Sequence, residues 1–127
     1  MKLVVDSSAL LAIIFDEPEA SLFLEAIHDH DPVISAATYV EMSSVLDPRG
    51  GSALLDRFLG DGLISILDFD LVQAKIARQA NREYGRSSGS KAKLNFGDTF
   101  SYALAIALKA PLLFKGADFA QTDVRTL

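Results

Sequence analysis

The chain is predicted to fold as an α/β domain around a central, mainly parallel sheet, and three observations carry that prediction. Short β-branched segments alternate with helical ones along its whole length, the pattern of parallel strands joined by crossover helices with helices on both faces of the sheet. The 127 residues, half of them apolar or aromatic, suit one compact domain spanning residues 1–127, able to bury a core without staples. Finally, acidic residues recur just past the strand-like segments, where open α/β sheets place their sites.

Lys2 to Val5 is the first strand, closed by Asp6 and followed by the helix-capping residues Ser7 and Ser8. Leu10, Leu11, Ile14 and Phe15 give the next stretch helical spacing, and Asp16, Glu17 and Pro18 end it and start a second helix that runs to His28. Val33 to Ser35 is the second strand, and a helix from about Ala37 to Leu46 follows, with Tyr39, Met42, Val45 and Leu46 as its apolar side. The break Asp47-Pro48-Arg49-Gly50-Gly51 leads to a helix over Ser52 to Leu59, ended by Gly60 and Gly62. Leu63 to Leu67 reads as strand three. Asp70 to Tyr84 is amphipathic, with Val72, Ile76 and Ala80 opposing Arg78, Arg82 and Arg86. A Gly/Ser/Lys-rich loop spans Gly85 to Lys93; a helix from Gly97 to Lys109 precedes the strand Leu112 to Phe114; a loop from Gly116 to Asp123 leads to a last edge strand, Val124 to Leu127.

Cysteine is absent, which excludes disulfides, thiolate metal sites and cysteine nucleophiles and fits a reducing compartment. No apolar run nears the roughly 20 residues that span a bilayer, and the start lacks a secretory pattern, so the expected location is the cytoplasm, with no membrane partner. A balance of 12 basic and 17 acidic residues, net −5, disfavours wrapping duplex DNA with the whole surface. It leaves room for a local basic patch.

Asp6 follows strand one and Asp118 follows the strand ending at Phe114, so both fall on one rim. Glu41 lies in the first turn or so of the helix after strand two, and Asp98 opens the helix before the last core strand. Four carboxylates meeting at one edge would repel, by roughly 4 kcal/mol for a pair about 4 Å apart at an effective dielectric of 20, and a hard divalent cation such as Mg²⁺ or Mn²⁺ would relieve them. Each residue has a plainer reading: Asp6 and Asp98 as helix N-caps, Glu41 as a solvated helix residue, Asp118 as a turn aspartate. Spacing alone leaves both open.

The segments VVDSSALLAIIFDEPEA, ISAATYVEMSSVL, LNFGDTFSYALAIAL and PLLFKGADFAQTD, in this order across nearly the whole chain, resemble the four blocks of PIN-domain proteins, specifically VapC-type toxin ribonucleases. The resemblance implies a three-layer α/β/α sandwich, homodimeric, that cleaves RNA with Mg²⁺ or Mn²⁺ and is silenced by a small VapB-type antitoxin. It puts Asp6, Glu41, Asp98 and Asp118 at the four acidic positions, with Asp6, Asp98 and Asp118 as metal ligands and Ser8 at the supporting Ser/Thr position. Asp123 competes with Asp118 for the fourth place. Ala117 stands where many relatives carry Asp or Asn, which leaves a local polar contact in doubt. On this reading a metal held by Asp6 and Asp98 activates a water and positions the scissile phosphate, while Glu41 and Asp118 complete the shell or orient the nucleophile.

Six of the 12 basic residues, Lys75, Arg78, Arg82, Arg86, Lys91 and Lys93, fall between positions 75 and 93, against Glu83 alone. They are expected to form a phosphate track leading to Asn95 and Asp98, with Tyr84 available to stack on a base and Lys115 near the rim available to a phosphate. A solvated helix face is the plainer reading, with Tyr84 a boundary residue half buried in the core and Lys115 an inert strand-end lysine. His28 and His30 read as a solvated helix end rather than a metal pair. Two further alternatives are a PIN scaffold kept only to bind its antitoxin, and a receiver-type signalling domain. The second wants an acidic pair at strand one, and Asp6 stands alone there.

Overall fold

The structure, a computed structural model, describes residues 1–60 and 63–127. Among these residues four strands form one sheet in the order β3-β2-β1-β4: β1 (Lys2–Val5), β2 (Asp31–Ser35), β3 (Ser65–Leu67) and β4 (Leu112–Leu113). Every pairing is parallel; Val4 sits opposite both Val33 and Leu112. All carboxyl ends therefore share one edge of the sheet. Among the described residues six α-helices connect and cover the strands: α1 (Ser7–Ile14), α2 (Ala20–Asp29), α3 (Ala36–Leu46), α4 (Ser52–Gly60), α5 (Leu71–Tyr84) and α6 (Asp98–Leu108).

Alternation along β1 divides the core in two. Leu3 and Val5 point to one face, against Leu10 of α1, Phe23 and Ile27 of α2, Met42 and Leu46 of α3 and Leu55 of α4. Val4 points to the other, against Ala80 of α5 and Leu104 and Ala105 of α6. Complete burial of a leucine such as Leu10 or Leu104 stabilises the fold by roughly 1.5–3 kcal/mol, so both layers hold the sheet firmly. No helix is long and apolar enough to cross a membrane among the described residues.

Several predicted elements change in detail. Gly62, expected to help end α4, lies outside the described residues. Strand three is shorter than Leu63 to Leu67, because Leu63 and Ile64 approach the sheet as a bend. The final edge strand reduces to one bridge, Leu112 to Thr126, since β4 is itself only two residues long. On α5 the buried face is Gln73, Ala77 and Ala80, while Val72 is 62% exposed. That rotation has a local cause: Asp70 caps the helix by accepting from the Gln73 N–H, and the Gln73 amide donates to the Asp68 carbonyl, turning Gln73 inward.

Candidate active site

Asp6, 1% exposed, stands at the carboxyl end of the central strand β1. Its Oδ2 accepts from the Ser8 backbone N–H at 3.0 Å and from Ser8 Oγ at 2.6 Å, which makes it the N-cap of α1. Its Oδ1 accepts from Ser101 Oγ at 2.6 Å, with Thr38 Oγ1 a further 3.4 Å from that hydroxyl. The capping role and the rim placement thus belong to one carboxylate. Ser8 Oγ also accepts from the Lys115 N–H, tying α1 to the exit of β4.

Glu41 lies on the second turn of α3, one turn later than expected. Its Oε1 is buried and has no hydrogen-bond partner among the described residues. Burial above all, then the charge of Asp6, pushes its pKa up to about 7; the Ser7 hydroxyl pulls the other way and the charge of Asp98 adds to the rise. The carboxylate rests where a side chain at position 97 would be, since a Cβ there would overlap it. Gly97 has ordinary helical dihedrals (φ −62°, ψ −35°), so the position needs glycine for space and not for backbone freedom.

Asp98 opens α6 through a reciprocal bracket: its Oδ2 accepts from the Asn95 N–H at 3.0 Å and Asn95 Oδ1 accepts from the Asp98 N–H at 2.9 Å. Burial raises its pKa to about 6; the Asn95 N–H opposes this, Asp6 and Asp118 add to it, and Arg86 offsets part. Asp118 is exposed and precedes the 3-10 turn Phe119–Gln121 without capping it through its side chain. Asp123, by contrast, accepts from the Tyr102 hydroxyl. Of the two competitors, only Asp118 is among the charges acting on Asp98.

This donor set suits a hard divalent cation. An unpartnered buried carboxylate oxygen costs roughly 1–3 kcal/mol, and two neighbouring carboxyls held above their ordinary range are relieved by the same positive charge. Among the described residues no three acidic or imidazole side chains already stand close enough to ligate one ion together. The remaining shell would fall to water or substrate oxygens, as magnesium commonly requires.

Lys115 and Tyr84 are each engaged elsewhere. Lys115 Nζ pairs with Glu17 at 3.0 Å and Glu19 at 3.4 Å, because the α1–α2 turn brings both glutamates beside the exit of β4, so it is not free for a phosphate. Tyr84, half-buried, packs edge-on to Tyr102 at 5.7 Å within the α5–α6 layer. Arg78 and Arg82 are exposed on α5, while Arg86 lies past its end in a turn, so three arginines do not form one helical stripe. Together with Lys91 and Lys93, exposed in the following loop, they make no ion pair among the described residues. His28 is exposed beside Asp29, and His30 Nδ1 contacts the Ala26 carbonyl, as a helix end should.

Three residues escape a reading of the sequence alone. Ser101 is legible only as the position one turn beyond Asp98 on α6. Phe96, 71% exposed directly before Gly97 and Asp98, is visible only as an aromatic next to the acid block. Arg49, whose guanidinium lies 5.6 Å from the centre of the Phe15 ring, has no signal beyond its place in a turn.

Residues 3–125 match the PIN domain family. The chain is 44% identical over 127 residues to ribonuclease VapC42 of Mycobacterium tuberculosis, covering 97% of each chain. Ribonuclease VapC30 of the same species is 41% identical over 129 residues, covering 98% of each. The fold also superposes on the crystal structure of VapBC2 from Rickettsia felis bound to a DNA fragment from its promoter, with a TM-score of 0.78 at 18% identity, covering 100% of this chain and 97% of that one. With a family match over nearly the whole chain and identity above 40% over nearly its full length, the chain belongs to the PIN-domain family, among the VapC ribonucleases.

Proposed function

We propose that this chain is a Mg²⁺- or Mn²⁺-dependent endoribonuclease, the toxin half of a toxin–antitoxin pair, with Asp6, Glu41, Asp98 and Asp118 as its acidic site. The observation that carries the reading is the buried, unpartnered Oε1 of Glu41 set among the fields of Asp6 and Asp98. Asp6, Asp98 and Asp118 would hold the divalent cation, with water or substrate oxygens completing its shell, and the bound ion would supply Lewis-acid charge to the scissile phosphate. Asp6 contributes a fixed anchor, locked by Ser8 and Ser101. Glu41, with a pKa close to neutral, takes the proton of the attacking water. Hydrolysis adds that water across one P–O bond: the hydroxyl stays on phosphorus and the departing ribose oxygen leaves with a proton. Arg78, Arg82, Arg86, Lys91 and Lys93 offer the phosphate contacts.

A VapB-type antitoxin is the partner that fits, the solved relative from Rickettsia felis being a VapBC complex. Cytoplasmic action, one PIN domain over 1–127 and a homodimer belong to the same reading. The homodimer draws its support from the family, since the apolar residues Ala9, Leu10 and Ala12 of α1 and Met42 and Leu46 of α3 are core. The test is RNA cleavage by the purified chain with Mg²⁺, with EDTA, and by Glu41→Gln. Cleavage should vanish in EDTA, return with Mg²⁺ or Mn²⁺, and fall by roughly 10²–10⁴-fold in the variant. Full activity in excess EDTA, or in Glu41→Gln, refutes the assignment.

A further inference from the structure

We propose that Phe96, braced by Phe100, is a stacking platform for one unpaired nucleobase beside the acidic site, an inference that rests on the ribonuclease reading. Phe96 leaves 71% of its surface in water one residue before Gly97 and two before Asp98. A ring this exposed gains little from burial, yet it is held in place. It meets Phe100 edge-to-face at 5.0 Å and 75°, and Phe100 in turn meets Phe69 at 5.2 Å and 77°. Such contacts fix a ring's orientation without covering both of its faces, so the platform is built before any ligand arrives.

Phe96 and Phe100 line two open hollows. One, of about 490 Å³, reaches Glu41, Gly97 and Val40; the other, of about 290 Å³, is walled by Arg78 and Asn81. A chain crossing the aromatic ridge therefore has the acidic site on one side and a guanidinium with an amide on the other. That succession suits a nucleotide, whose base needs a flat apolar face and whose phosphate needs an arginine. Charge decides against an apolar protein segment: Arg78 makes no ion pair among the described residues, and the field of Arg86 already reaches Asp98. Bases inside a duplex are stacked on their own neighbours, so the platform takes a base from a loop or a single strand.

The chain contains no tryptophan, so Phe96→Trp makes the platform its own probe. A single-stranded RNA oligonucleotide, titrated in EDTA so that nothing is cut, should quench the new fluorescence saturably, whereas a duplex of the same sequence should not. Binding followed on a labelled oligonucleotide should weaken roughly 5- to 150-fold in Phe96→Ala, equally in Phe96→Leu, and not in Phe96→Trp. Thermal melting of each variant checks the fold. Unchanged affinity in Phe96→Ala overturns the platform alone, with cleavage by the wild type intact. Full affinity in Phe96→Leu also overturns it, because any apolar side chain then serves and the groove is better suited to a protein segment. A wild type that neither binds nor cuts RNA removes the ribonuclease reading and the platform with it.

Discussion

The two ends of the sheet treat charge in opposite ways. At the amino end, Lys2 of β1 and Asp31 of β2 meet in solvent at 2.9 Å, and the lysine holds the Asp31 carboxyl below its ordinary range. At the carboxyl end, Asp6, Glu41 and Asp98 act on one another through partly buried space, and both Glu41 and Asp98 are pushed above theirs. Adjacent strands and neighbouring residues build both ends, so the contrast does not follow from topology. A lysine or arginine paired with Glu41 would have stabilised the fold, and none is placed there among the described residues. The arrangement suits an ion and a phosphate that arrive later, and it costs the metal-free fold some stability, a trade common to functional sites.

Apart from substitution of the acids themselves, the largest effect expected from disturbing the acidic end comes from a residue with no charge. Gly97→Ala keeps a helical backbone but puts a methyl group where the Glu41 carboxylate lies, so the carboxylate must move. A displacement of about 1 Å costs on the order of 10²-fold in rate, and cleavage should fall by that much while thermal melting stays within a few degrees of wild type. Glu41→Asp added to Gly97→Ala withdraws the carboxylate by one methylene and should recover part of the loss. Wild-type activity in Gly97→Ala would mean that the Glu41 position tolerates slack.

A smaller effect is expected on the basic flank. Arg78→Gln with Arg82→Gln should lower the slope of log affinity against log salt by about 1.4 for single-stranded RNA, about 0.7 for each phosphate no longer neutralised, and leave Mg²⁺ binding unchanged. An unaltered slope returns α5 to a solvated face.

The finest test uses pH. Glu41 binds its proton with a pKa of about 7 folded against 4.5 ordinarily, and Asp98 about 6 against 3.8. The metal-free fold holds more protons than the unfolded chain across this window, so its stability should fall as pH rises from about 4 to about 7 and level off above. Asp98→Asn, which can still accept from the Asn95 N–H, should melt at an equal or higher temperature than wild type at pH 7.5 and lose most of its stabilisation by Mg²⁺. Asp31→Asn should act with the opposite sign: the Lys2 contact stabilises above the ordinary aspartate pKa and disappears as pH falls through the folded one. Lying in solvent, that pair should barely move the melting curve. A metal-free protein whose stability rises from pH 4 to pH 7 would show that the acidic end is compensated after all.

Local chemistry made much of this legible in the sequence. The β-branched run Lys2–Val5, the acid behind it, the capping serines and the break at Asp16 to Pro18 are decided by neighbours within a few residues, and the strands and helices fall where those signals put them. The acid block at Asp98 and the glycine before it could be read the same way. The closing of the rim could not, because it depends on residues far apart in sequence. Ser101 reaches Asp6 across 95 positions, and Lys115 is claimed by Glu17 across 98, which removes it from the rim. Tyr84 and Phe96 are both aromatic residues near a basic loop; only packing against Tyr102 hides one, and only the turn into α6 exposes the other. Nor does composition reveal that Gly97 serves to make room for Glu41. Local propensity fixes which segments become strands and helices, whereas burial, pairing and the fields between carboxylates exist only once β1, α3 and α6 converge at one edge of the sheet.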